Sequence, residues 1–373
     1  MSVTIRISSR LAPIRPSITL AVTARAARLK AAGVDVIGFA AGEPDFDTPT
    51  HIKDAAKRAL DAGDTKYTNV AGTPVLRAAI AKAIEQADGL RYSPDDVIVS
   101  VGAKHCLYNC FQVLLEPGDE VIIPAPYWVS YPDMVLLAGG RPVILPTRAE
   151  DGFRVSPGAV EAAITPRTRA FVLCSPSNPT GACYDRNALM ALARIFAERE
   201  VIVISDDIYR RMVYDDVRFH EIATLSPQLA ERSVILDGFS KSYAMTGWRL
   251  GYAAGPRPII QAMVTLQGQS TSNVTSIAQA AAVAALEGPQ DCVEEMRVEF
   301  DRRRKVMVAR LRGMPAVSCV APQGAFYAFP DLSAYLGRRP PGGAPILNDV
   351  ALCDHLLDAG RVAVVPGSGF GSP

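Results

Sequence analysis

Along the middle of the chain, short continuous apolar runs alternate with longer stretches of helical period. Val97-Ile98-Val99-Ser100-Val101 predicts a strand, and Ala103 to Leu115 a helix ended by Glu116-Pro117-Gly118-Asp119. Val121-Ile122-Ile123 predicts a second strand, closed by Pro124. Ala170 to Cys174, Val201 to Ser205 and Val234-Ile235-Leu236 predict three more. Runs of Val, Ile and Leu without alternation suit strands buried on both faces, and their separation by helices predicts a mainly parallel sheet of α/β class. Residues 275–286 and 292–312 read as helices, the second strongly charged and amphipathic. Ala325-Phe326-Tyr327-Ala328-Phe329 reads as a strand, Pro340 to Pro345 as a loop, and Val362 to Val365 as the last strand. This pattern suggests a large domain over residues 49–291. An N-terminal arm (1–48) and a C-terminal segment (292–373) would pack together as a smaller α+β domain.

Composition narrows the class. The 373 residues are 49% hydrophobic, enough for a substantial core. Lys plus Arg total 39 and Asp plus Glu 38, so no charge excess points to nucleic acid or an anionic membrane as a partner. No run approaches the roughly 20 apolar residues of a membrane helix, and Met1 to Pro16 lacks the apolar stretch of a signal peptide. The seven cysteines include no CxxC pair, and Cys106 and Cys110 stand one helical turn apart as small apolar groups. A reducing cytoplasmic compartment is expected. His51, His105, His220 and His355 show no metal-ligand spacing, so no metal is expected.

Four loops carry candidate chemistry, each after a strand, where ligands sit in an open parallel sheet. Gly102-Ala103-Lys104 opens a helix whose first N–H groups can hold a phosphate. Asn178 lies in Ser175-Pro176-Ser177-Asn178-Pro179-Thr180-Gly181, and Asp206 and Tyr209 lie in Ser205-Asp206-Asp207-Ile208-Tyr209. Lys241 follows the Val234 strand, with Arg249 eight residues on. Each loop has an ordinary reading alone: a turn, a helix cap, a relaxed strand–helix joint, a solvated lysine. Together they suggest an amine that bonds an aldehyde and a guanidinium that grips a phosphate, which points to pyridoxal 5′-phosphate.

The motifs AGEPDFDTP, KYT, GAK, PYWVSYP, SPSNPTG and SKSYAMTGWRLGY, spread from Pro16 onward, resemble those of the class I/II aminotransferases. The chain is most similar to the bacterial aspartate and prephenate branch. The resemblance implies the pyridoxal-phosphate-dependent fold type I, with a central sheet of the seven-stranded type and flanking helices. It implies Lys241 as the Schiff-base lysine and proton carrier, and Asp206 as the partner of the pyridine nitrogen. Tyr209 and Asn178 would bond the phenolic oxygen, and Trp128 would stack on the ring. Arg249, Ser240, Gly102 and the Ala103 and Lys104 amides would hold the phosphate. Tyr67 would reach the phosphate of a neighbouring subunit, which implies a homodimer with shared sites. The Gly42 backbone would touch the substrate's α-carboxylate. Lys104, with Ser17 and Thr19, would bind a distal carboxylate, and Arg15 beside them would add positive charge or serve as a solvated arm residue.

The implied reaction is amino transfer between L-aspartate and 2-oxoglutarate by a ping-pong cycle. Prephenate or aromatic amino acid transfer, and a β-lyase, are alternatives on the same groups. A ligand-sensing transcription factor is disfavoured by the charge balance and the early start of the motifs. One element of the family pattern has no counterpart. After the Gly367 to Gly371 segment the family has an arginine that pairs with the α-carboxylate, and no residue of this sequence matches it. Loss of such a pair costs about 2–5 kcal/mol. Two readings stand: a sequence that stops short of the full protein, or a shortened relative that binds the cofactor with little turnover.

Overall fold

The computed structural model describes residues 5–40 and 42–371. Seven strands form one sheet: Val97–Ser100 (β1), Glu120–Ala125 (β2), Arg141–Pro146 (β3), Thr168–Cys174 (β4), Ile202–Asp206 (β5), Ser233–Gly238 (β6) and Gly251–Ala254 (β7). Their order is β1-β7-β6-β5-β4-β2-β3. Only β7 runs antiparallel to its neighbours, so the other six strands share one direction. The carboxyl ends of β1, β2, β4, β5 and β6 therefore open on one edge.

Both faces of the sheet are covered, as the unbroken Val/Ile runs require. On one face Val121, Ile123, Val172 and Ile204 pack with Leu107, Phe111 and Met263 from the helices Ala103–Leu114 and Arg257–Gly268. Opposite, Phe171, Leu173 and Val203 pack with Leu189, Leu192 and Phe196 of the helix Arg186–Ala197. A further layer joins Leu76, Ile80 and Ile84 to Val97, Val99 and the small residues Ala278, Ala281, Ala282 and Ala285.

Three expectations change. Pro124 does not close β2 but lies inside it, beyond the point where pairing with β4 ends. One flank of the strand carries no ladder there, so a proline is tolerated. The edge strand β3 was not foreseen: its apolar run is only three residues long, bounded by Pro142 and Pro146. Ala325 to Phe329 forms no strand, and only an isolated bridge between Val213 and Gly324 precedes it. Ala325 adopts φ +57°, and the consecutive rings of Phe326 and Tyr327 both pack edge-on against Tyr209. Successive side chains of a pleated strand point to opposite faces and could not do this.

The two ends of the chain meet. Ile37–Gly38 pairs in parallel with Val362–Ala363, and Ala26, Val36 and Ala40 share a cluster with Leu357 and Ala363. Arg25, on the helix Ile18–Ala31, grips both carboxylate oxygens of Asp358 at 2.7 and 2.8 Å. At the Pro16 end of this helix Ile18 lies close to Gly369, and Gly371 lies close to Tyr127 in the loop after β2. No helix among the described residues is long and apolar enough to cross a membrane.

The joint between β7 and the helix Ala103–Leu114 depends on one absent side chain. A Cβ at Gly251 would overlap the backbone of Gly102 and Ala103. Gly251→Ala should lower the unfolding free energy by about 1–3 kcal/mol, as overpacking against backbone does. Denaturant titration measures this, and an unchanged midpoint would show that the close approach is not required.

Candidate active site

The shared edge collects most of the expected residues. Gly102 caps the helix Ala103–Leu114 with φ +84°, a conformation that favours glycine. The amides of Ala103 and Lys104 head that helix, where N–H groups have no intrahelical acceptor. Arg249 follows with φ +54°, uncommon for a residue with a side chain. Its guanidinium lies against Gly102, where a Cβ would meet it at 2.8 Å. Arg249 donates to the carbonyls of Thr246 (2.9 Å) and Val101 (3.4 Å). Ser240 is buried one residue before Lys241 in the turn after β6.

Lys241 Nζ donates to the carbonyl of Gly42, which brings the N-terminal segment onto the sheet edge. The amine stands 5.6 Å from the Phe326 ring centre and 5.9 Å from that of Tyr209. Burial lowers its pKa to about 8, assisted by Arg249 and opposed by Glu43 and Asp206. Lys104 Nζ lies 5.2 Å over the Trp128 ring, and burial with Arg249 nearby also lowers its pKa. Among the described residues no carboxylate lies within ion-pair distance of Lys104, Lys241 or Arg249. Three cations gathered at one edge without such a partner make a site for an anion.

Asp206, the last residue of β5, is buried. Its carboxyl accepts from the Tyr131 hydroxyl at 2.5 Å and from the Ile208 amide at 3.5 Å. Burial pushes its pKa above the ordinary carboxylate value, while these donors and Lys241 pull it down. The adjacent Asp207 is used differently. Ser205 donates to it at 2.7 Å, and burial beside Glu221 holds its carboxyl well above the usual range. The two aspartates of the Asp206-Asp207 pair are thus separated by environment, and only Asp206 feels Lys241.

A model of the aminotransferase class I and II family matches residues 34–373. The chain belongs to that family. It is 53% identical to the aspartate/prephenate aminotransferase of Cereibacter sphaeroides, over 98% of this chain and 92% of the relative. Its identity to the aspartate aminotransferase of Geobacillus stearothermophilus is 50%, over 99% and 92%. The crystal structure of the Rhizobium meliloti aspartate aminotransferase superposes with a TM-score of 0.95 at 46% identity, covering 99% of this chain and 93% of that one. The Thermus thermophilus aspartate aminotransferase with maleate gives 0.92 at 43% identity, covering 98% and 93%. The protein therefore has the aminotransferase fold type I.

Within this aminotransferase, Asn178 and Tyr209 meet at a residue the sequence did not single out. Tyr327 bonds Tyr209 oxygen to oxygen at 2.5 Å and accepts from Asn178 Nδ2 at 3.3 Å. Tyr131 was missed too, although it stands three residues from Trp128 and packs edge-on against it at 5.3 Å. Spacing was a usable signal for Tyr131. Tyr327 is far from Tyr209 in sequence and gave none.

The remaining expected residues stand apart from this cluster. Tyr67 is 92% exposed. Ser17 caps the arm helix by accepting from the Leu20 amide at 3.5 Å, and the Thr19 carbonyl accepts from Thr23 at 2.9 Å. Arg15 is exposed, yet it and Lys104 both act on Asp133, whose carboxyl burial pushes up and these two cations pull down. The arm therefore borders the Lys104 end of the site. No group of three or more metal-binding side chains occurs among the described residues.

A lowered pKa makes Lys241 nucleophilic near neutral pH, because the amine is free above its pKa. Trapping a small aldehyde on the protein with borohydride, followed by peptide mass analysis, should label Lys241 with a pH midpoint near 8. A midpoint at the ordinary lysine value of about 10.4 would contradict the burial argument.

Proposed function

We propose that this aminotransferase works with pyridoxal 5′-phosphate and moves the amino group of L-aspartate to 2-oxoglutarate. The observation that carries the reading is a buried acid, Asp206, facing a depressed-pKa amine, Lys241, beside an anion cradle at the head of a helix. The donor set fits the cofactor in three ways. The Gly102 to Lys104 turn, Ser240 and Arg249 suit a phosphate. Asp206, held up by burial, gains from a cationic ring nitrogen. The flat face of Trp128 suits an aromatic ring. When bound, the cofactor supplies an aldehyde carbon and a ring that draws off electrons left by deprotonation.

Each side chain then has a physical task. Lys241 Nζ would hold the cofactor and would serve as the base that takes the proton from the substrate's Cα. Asp206 keeps a proton on the ring nitrogen by remaining charged, and Tyr131 keeps Asp206 charged and aimed. Tyr209 and Asn178 would donate to the phenolic oxygen. The Gly42 backbone faces the α-carboxylate. Lys104 offers its charge to a distal carboxylate, with Ser17 and Thr19 supplying hydroxyls and Arg15 further positive charge. The Thermus relative was solved with maleate, a dicarboxylate, which supports an acidic substrate. Tyr67, so exposed in the single chain, suits a contact to the phosphate of a second copy in a homodimer.

The name of the Cereibacter relative supports a second acceptor, prephenate, on the same cationic pocket. Comparing 2-oxoglutarate, oxaloacetate and prephenate at matched concentration separates the two.

The test uses the full-length protein, its mass confirmed, loaded with pyridoxal phosphate. Aspartate should shift the cofactor's absorbance, and 2-oxoglutarate should restore it. Lys241→Ala should lose turnover by about 10²–10⁴-fold or more, the worth of a positioned base. No spectral response to any amino donor would sink the proposal.

Lys104→Ala should reduce kcat/KM for aspartate by roughly 10–100-fold, the worth of one charge-assisted hydrogen bond. Alanine as donor should change far less. Equal losses for both donors would remove Lys104 from distal-carboxylate binding.

A further inference from the structure

We infer that Tyr327 is a positioning residue for this reaction: its phenol, bonded at once to Tyr209 and Asn178, sets the direction in which Tyr209 gives its proton. The inference rests on the cofactor reading above and concerns a residue to which that reading gives no part.

The proton count carries the argument. Asn178 Nδ2 can only donate, so its 3.3 Å bond makes the Tyr327 oxygen an acceptor. Tyr327 still has one proton of its own, and the 2.5 Å contact with Tyr209 takes one proton from one of the two phenols. If Tyr209 donates to Tyr327, Tyr209 has no proton left for the cofactor. If Tyr327 donates to Tyr209, the Tyr209 proton is free to point into the site. An anionic phenolic oxygen in front of Tyr209 selects the second arrangement. The chain then runs from Asn178 through Tyr327 and Tyr209 into the site, each bond polarising the next.

Burial supports the count, because both phenols are held well above their ordinary pKa and keep their protons. The titratable groups around the pair are Asp206 at the end of β5, Cys174 at the end of β4 and Lys241 after β6. Tyr327 also stands over Gly42, where a Cβ would meet its oxygen at 2.9 Å. The same atom therefore lies close to the N-terminal segment. Loss of the Tyr327 hydroxyl has two opposing effects: Tyr209 becomes a weaker donor, and the Asn178 amide is freed. The bond to Tyr209 is 0.8 Å shorter (3.3 against 2.5 Å), so its loss dominates.

The variant is Tyr327→Phe, which keeps the ring packed against Tyr209 and Phe326. The readout is the pH midpoint of the bound cofactor's visible absorption change, without substrate. A weaker donor leaves more negative charge on the phenolic oxygen and makes the nitrogen bonded to the cofactor more basic. The midpoint should therefore rise, by roughly 0.2–0.6 unit for a neighbour that strengthens a charge-assisted bond by about 10–30%. In a Tyr209→Phe background the same substitution should give no rise. A midpoint unmoved in the Tyr209 protein, or an equal rise in both backgrounds, would overturn the inference. A loss of thermal stability with no midpoint shift assigns Tyr327 a packing role and also overturns it. Unaltered protein that binds the cofactor but shows no such titration removes this inference alone. Protein that fails to bind pyridoxal phosphate at all removes the cofactor reading as well.

Discussion

A carboxyl group held at the closed end of an apolar strand is the constraint on which the site depends. β5 reads Ile202-Val203-Ile204-Ser205-Asp206, and its last residue carries an acid into surroundings that push its pKa up. Removing a carboxylate from water costs several kcal/mol unless donors compensate. Tyr131 at 2.5 Å and the Ile208 amide compensate in part. The remainder is an unmet demand for positive charge, which the proposed cofactor's ring nitrogen would satisfy. The family fold sets Lys241 near this acid and lowers its amine's pKa to about 8 by burial, so that roughly half of it is neutral at that pH.

The anion cradle shows the same logic at the backbone level. Gly102 takes a positive-φ conformation, Gly251 lets β7 press against the helix head, and Arg249 also accepts a positive φ. Such conformations persist only where surrounding structure imposes them. The result is three cations on one edge with no carboxylate partner among the described residues, a poor arrangement for stability and a good one for an anionic ligand. Stability comes instead from the sheet, whose two faces bury continuous Val, Ile and Phe side chains.

Much of this was legible in the chain. Unbroken apolar runs announced a parallel sheet, because strands buried on both faces need no alternation. Asp206 ends such a run, Asn178 and Lys241 lie in the loops that follow two others, and the family motifs around them assigned their roles. The strands β3 and β7 were not, since the apolar run of β3 is short and bounded by prolines and Gly251-Tyr252-Ala253-Ala254 is short and mostly small residues. Ala325 to Phe329 misled: its aromatic residues read as strand, yet Phe326 and Tyr327 turn to one side around a left-handed Ala325. Tyr327 could not be found locally, because its meaning lies in a contact with Tyr209 that only the folded chain creates.

The most direct test of the central claim follows the ring nitrogen itself. Pyridoxal phosphate labelled with nitrogen-15 in the ring, bound to the protein, reports protonation through its chemical shift as pH is raised. If Asp206 stays charged against that nitrogen, the ring remains protonated well above the pH at which the free cofactor loses its proton, and Asp206→Ala abolishes the effect. A ring nitrogen that titrates as it does in free solution would show that the buried acid does not serve it.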